Sequence, residues 1–81
     1  MKLLKFEADS CMKCRKLDRT LKTLNVEYTS YDVYADENLQ MVDQYIVSAL
    51  PTLVKTDDNG NEIAKLVGAD CLTNKLMEFL K

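Results

Sequence analysis

Phe6-Glu7-Ala8-Asp9-Ser10-Cys11-Met12-Lys13-Cys14 is the stretch that decides how this chain folds. The segment leading into it, Lys2–Ala8 (KLLKFEA), is short and mostly apolar, which suits a buried strand of about 5–6 residues. Asp9-Ser10 breaks that pattern with two good helix N-cap types. From Cys11 the apolar positions become Cys14, Leu17, Leu21 and Leu24, which share one helical face. Lys13, Arg15, Lys16, Asp18, Arg19 and Lys22 take the opposite face. Asn25 ends the helix, since Asn tolerates the left-handed conformation of a C-cap.

Working outward, Val26–Val33 (VEYTSYDV) is rich in β-branched and aromatic residues and reads as a second strand. A second helix opens at Ala35 or Asp36. Its apolar stripe is Leu39, Val42 and Ile46, with Met41 and Tyr45 beside it, and it fades before Pro51. Thr52–Thr56 and Glu62–Val67 are strands joined by Asp57-Asp58-Asn59-Gly60-Asn61, where Asn-Gly is a strong hairpin signal. Gly68-Ala69-Asp70 is a bend, with Asp70 placed to cap a closing helix lined by Leu72, Leu76, Phe79 and Leu80. The order is β-α-β-α-β-β-α, an α/β domain over residues 1–81 with a four-stranded mixed sheet and three helices.

Composition narrows the chemistry. Eleven Lys+Arg against thirteen Asp+Glu leave a net charge of −2, the wrong sign for a chain whose partner is nucleic acid. No apolar run exceeds four residues, while a membrane helix needs about 20. The N-terminus, cut by Lys5 and Glu7, reads as mature protein rather than a secretory signal, and the expected location is the cytoplasm. With no His in the chain, Ser-His-Asp and Cys-His catalysis and His-ligated zinc are unavailable. Three Cys are a poor disulfide framework. They are also one short of a four-thiolate metal site, which leaves only a dimer-bridged cluster as a metal reading.

Cys11 and Cys14 carry the chemistry. A C-x-x-C directly after a strand, in the first turn of a helix, is the setting asked of a redox motif. Cys11 falls at or beside the N-cap, where free N–H groups and the helix dipole favour a thiolate, so its pKa is expected below the free value of about 8.5. Cys14, one turn deeper on the inward stripe, is expected to be buried and less ionised. Spacing i, i+3 lets the sulfurs bridge. Cys11 then attacks a substrate disulfide, and Cys14 resolves the mixed disulfide. The plainer readings of the pair are two structural cysteines or half a metal site. Cys71 reads as incidental, or as a thiol open to glutathionylation or to an intermolecular disulfide.

Together these residues resemble the thioredoxin family, glutaredoxins included. Phe6–Cys14 is similar to the family's strand and CxxC segment, Gln44–Leu53 to the stretch around its cis-proline, and Lys65–Ala69 to the end of its last strand. The resemblance implies a thioredoxin-like fold and a cis Leu50–Pro51 peptide facing Cys11. It also implies that Met12, Lys13, Leu50 and Pro51 meet substrate in extended form. It further implies a protein-disulfide reductase without bound cofactor, most simply a monomer. Its partners would be disulfide-containing proteins and a thioredoxin reductase-like enzyme or glutathione. The alternatives are a glutathione-dependent glutaredoxin and a non-enzymatic binding module of the same fold.

The sequence departs from the family at several places. Ser10 stands where thioredoxins have Trp, and Met12-Lys13 where they have Gly-Pro. Lys5 stands where they place a buried Asp, leaving Glu7 or solvent to accept the Cys14 proton. Lys5 either runs its stem past the core or places its charge near the thiols. The glutathione-binding signs at Leu50-Pro51-Thr52 and Gly68-Ala69-Asp70 are incomplete. The basic helix face reads as a solvated surface or as a steering surface for acidic partners.

Overall fold

Burial on both faces builds the centre of the sheet. In β1 (Lys2–Glu7), Leu4 and Phe6 face one side and Lys5 the other, and all three are buried. β3 (Thr52–Thr56) alternates likewise, with Val54 packed beside Leu4 and Phe6, and Leu53 on the opposite side. The computed structural model describes every residue from Met1 to Lys81. With β2 (Thr29–Asp32) and β4 (Glu62–Val67), the strands form one mixed sheet in the order β2-β1-β3-β4. β1 and β2 are parallel, and the β1–β3 and β3–β4 pairs are antiparallel. Three helices, α1 (Met12–Thr23), α2 (Leu39–Gln44) and α3 (Lys75–Leu80), complete the expected order.

The two sheet faces hold two cores. On one, Leu17 and Leu21 of α1 meet Leu53, Leu66, Cys71, and Leu76 and Phe79 of α3. On the other, Leu4, Phe6 and Val54 meet Tyr45, with Met41, Val42 and Leu50 packed around them. Phe6 lies 5.6 Å from the ring of Tyr31 and 6.0 Å from that of Tyr45. The central strands therefore have side chains packed on both faces, which fixes the β1–α1 junction between two packed layers.

Several expectations need correction. The second strand is shorter than Val26–Val33, because its parallel register pairs only Thr29–Asp32 with Leu4–Glu7. Val26 instead closes the end of α1, its N–H bonded to the Leu21 carbonyl at 3.0 Å. The second helix begins with a 3₁₀ turn, Asp36–Asn38, and ends at Gln44. Ile46 lies past that end with φ +52° and is exposed, as is Leu39, so the buried contact falls to Tyr45. Asp70 does not cap the closing helix. It sits inside a 3₁₀ turn, Gly68–Leu72, and extended backbone at Thr73 separates that turn from α3. Thr73 Oγ1, not Asp70, accepts the Lys75 N–H, at 3.2 Å. Leu72 is consequently exposed, while Leu76 and Phe79 are buried as read. Asn25 has φ +56°, the left-handed conformation read for it.

The β3–β4 hairpin closes through Asp57, whose carboxylate accepts the N–H groups of Asn59 and Asn61, both at 2.9 Å. Gly60 supplies the positive φ of +86°. Its carbonyl accepts the Tyr45 hydroxyl at 2.6 Å, which ties the hairpin to the end of α2. Tyr45→Phe should therefore lower the urea-unfolding free energy by about 1 kcal/mol with the m-value unchanged. A change near zero would show that this bond does not hold the two elements together.

Candidate active site

A sulfur atom caps α1. Cys11 has extended backbone, φ −85° and ψ +106°, and its Sγ accepts the Cys14 N–H at 3.1 Å. A cap residue normally satisfies a free helical N–H with an oxygen; here the sulfur of Cys11 does so. The Cys11 and Cys14 sulfurs are bonded, with Cα atoms 5.2 Å apart, within the ordinary disulfide range. Cys11 is partly exposed and Cys14 has no exposure at all. The asymmetry expected from the helical stripe is present. Met12 and Lys13, between them, are both exposed.

Beneath the motif lies a charged cluster centred on Lys5. Its ammonium has no solvent exposure and contacts the carboxylates of Glu7 and Asp18. Arg15 closes the cluster from outside, 2.9 Å from Glu7 and 3.4 Å from Asp18. The Tyr28 hydroxyl donates to Asp18 at 3.0 Å. Burial alone would raise the Asp18 pKa. The hydrogen bond and charge of Lys5, the Tyr28 hydroxyl and Arg15 outweigh it and hold that carboxyl below its ordinary value. The same burial, with the Asp18 carboxylate, pushes the Tyr28 phenol up. The stem of Lys5 thus does not run out to solvent; its charge is held by two carboxylates and also acts on the Cys71 thiol, in the lowering direction. Arg15, Asp18 and Tyr28 are members that sequence reasoning missed. The available signal was a lysine in an apolar strand, which requires a counter-charge, and the lone acid of α1 one turn beyond Cys14.

Leu50 and Pro51 precede β3, and the peptide between them is cis. The Pro51 ring is buried, and its carbonyl accepts the Gly68 N–H at 2.7 Å. Leu50 is partly buried, and its own N–H and carbonyl bond to nothing within the protein. Cys71 lies on the core side of this loop, with no exposure. Its thiol approaches the Leu66 carbonyl at 3.4 Å and the Pro51 carbonyl at 3.6 Å. It is not brought to the Cys11–Cys14 pair, so the three thiols do not form one donor set.

Over its whole length, residues 1–81, the sequence matches the family model described as thioredoxin. The chain belongs to the thioredoxin family. It is 39% identical over 69 residues to a thioredoxin of Chlamydia pneumoniae, covering 82% of this chain and 67% of that one. It is 27% identical over 81 residues to the SPbeta prophage-derived thioredoxin-like protein YosR of Bacillus subtilis strain 168, covering 100% and 96% respectively. The crystal structure of the germline-specific thioredoxin Deadhead of Drosophila melanogaster superposes with a TM-score of 0.74 at 29% identity, covering 98% of this chain and 78% of that one. The fold is a thioredoxin fold. Membership of the thioredoxin family and a bonded CxxC pair fit a thiol–disulfide oxidoreductase, a class that acts on disulfide-bearing proteins and is served by a reductase. No helix is long and apolar enough to cross a membrane.

Lys5→Met leaves two carboxylates with Arg15 alone, and should lower the unfolding free energy by about 3 kcal/mol. The triple variant Lys5→Met/Glu7→Leu/Asp18→Leu should recover most of that loss. A single-variant cost below about 1 kcal/mol would mean that the cluster is solvated rather than buried. Burial raises the Cys71 pKa from 9.0 to about 11. Below pH 9 the thiol is protonated in both states. Between 9 and 11 the unfolded chain loses the proton while the folded one keeps it, so stability falls as pH rises. Urea unfolding across that window should show a shallower decline in Cys71→Ala than in the parent chain, and identical slopes would refute the assignment.

Proposed function

We propose that the chain reduces protein disulfides by dithiol exchange through Cys11 and Cys14. The observation that carries this reading is the capping sulfur. Cys11 Sγ is partly exposed, sits where the N-terminal dipole of α1 stabilises negative charge, and is bonded to a partner sealed in the core.

In the reduced protein the Cys11 thiolate attacks one sulfur of the substrate disulfide. The substrate S–S bond breaks, a Cys11–substrate mixed disulfide forms, and the departing sulfur leaves as a thiolate that takes a proton. Cys14 then gives up its proton to solvent, since Glu7 is held by Lys5 and Arg15, and attacks Cys11 Sγ. The second substrate sulfur leaves, and the Cys11–Cys14 bond closes. Two electrons have passed from the chain to the substrate, and a separate reductase or glutathione returns them. The incomplete glutathione signs at Leu50-Pro51-Thr52 and Gly68-Ala69-Asp70 favour the reductase. Met12 and Lys13 flank the reacting sulfur on the exposed side. The unpartnered N–H and carbonyl of Leu50, before the buried Pro51, offer an extended substrate segment one donor and one acceptor.

Insulin reduction with dithiothreitol tests the activity. Cys11→Ser should fall to the uncatalysed rate, and equal rates for the two proteins would leave only a binding module. In the reduced protein at neutral pH, iodoacetamide should label Cys11 well before Cys14 and Cys71; earlier labelling of Cys14 would exchange the two roles. Cys14→Ser should accumulate a mixed disulfide with a protein substrate, and a failure to accumulate one would remove the resolving step.

A further inference from the structure

We infer that the exposed side of α1 is a docking surface for acidic protein segments next to the substrate disulfide; the inference rests on the reductase reading above. Lys13, Lys16, Arg19 and Lys22 follow one another at i, i+3 spacing along the whole helix, and all four are exposed. None of them forms an ion pair. The remaining cations of the chain are otherwise engaged. Lys5, Arg15, Lys65, Lys75 and Lys81 pair with carboxylates, and Lys55 binds the Phe79 and Lys81 carbonyls, leaving Lys2 as the other unpaired side chain.

Five cations against one acid give α1 a charge of +4, so the rest of a chain whose total is −2 carries −6. The one acid of α1, Asp18, is turned inward to Lys5. Like charges at helical-neighbour spacing destabilise a helix, and here no partner within the chain offsets them. The row begins at the redox motif, because Lys13 lies between Cys11 and Cys14. Exposed Met12, 76% accessible, adds an apolar contact at the same end. The row rises about 14 Å from Lys13 to Lys22 and slants across the exposed side of the helix, which matches an extended peptide carrying several carboxylates. The negative remainder of the surface repels a nucleic acid, a polyanion broader than the strip. Such complementarity acts mainly on the association rate and weakens with salt.

Two synthetic peptides test this, identical around one internal disulfide but flanked by Glu and Asp in one and by Lys in the other. The reduced protein is mixed with each at ionic strengths of about 0.02 M and about 0.5 M, which span the screening of exposed charges. The acidic peptide should react about tenfold faster at low salt, and the preference should vanish at high salt. Lys16→Glu/Arg19→Glu should abolish or reverse the acidic-to-basic rate ratio, and Lys16→Gln/Arg19→Gln should reduce it to an intermediate value. Because a ratio is read, a general loss of activity does not imitate the result. Equal rates for both peptides, or a preference retained in the double Glu variant, would overturn the docking surface while leaving the reductase reading intact. If neither peptide is reduced, the reductase reading falls and takes this inference with it. Stronger inhibition by a single-stranded oligonucleotide than by an acidic peptide of equal charge would assign the face to nucleic acid and overturn the proposal.

Discussion

The capping of α1 by Cys11 Sγ is the contact on which the site depends. It joins two requirements that most proteins assign to different residues. A helix start needs an acceptor for its free N–H groups, and a thiolate needs a donor. In the oxidised pair one hydrogen bond from the Cys14 N–H meets the first requirement, and in the proposed mechanism the same donor meets the second. It also fixes the redox geometry, since the donor belongs to the residue whose side chain must reach back across the turn. In the oxidised pair the sulfur still accepts that bond, so the helix start is already organised before reduction.

Holding that turn in place requires β1 and α1 to stay in register, and Lys5 supplies a polar link between them. A lone buried ammonium would be expensive. Contacts to Glu7 from its own strand and to Asp18 from the helix answer that cost, and Arg15 balances the second negative charge. The resulting cluster has two cations and two anions and no net charge. Its contacts to Asp18 fix the helix to the strand by directional bonds. The position at which the resemblance implied a carboxylate carries a cation instead, and two carboxylates surround it.

The strands, the first helix and the CxxC placement were legible because each rests on a local signal. A short, mostly apolar run marks β1, flanking turn signals mark β3, 3- and 4-residue spacing marks α1, and Asn-Gly marks the hairpin. The shortening of β2 was not legible, because it depends on how far β1 extends beside it, a property of the pair and not of Val26–Val33. Ile46 misled for a related reason. Its spacing continues the stripe of α2, yet the helix has already ended, and nothing local distinguishes a helical Ile from one just beyond the cap. At Asp70, capping propensity was real, but a 3₁₀ turn used the residue first.

The Lys5 cluster shows where reading along a single chain reaches its limit. Its members sit at positions 5, 7, 15, 18 and 28, on two strand-side segments and one helix. No spacing rule connects them, because a crossover brings them together. What can be read in advance is the demand: a lysine at a core position of an apolar strand obliges the fold to find a carboxylate. The supply then follows from topology. A right-handed β-α-β unit lays α1 across β1, so the acids within reach are those at the strand's end and on the helix's inward edge. Glu7 and Asp18 are the acids that meet both conditions. The neutral cluster and the unpaired basic row thus divide the charges of α1 by direction, Asp18 and Arg15 turned to the sheet and Lys13, Lys16, Arg19 and Lys22 left to solvent.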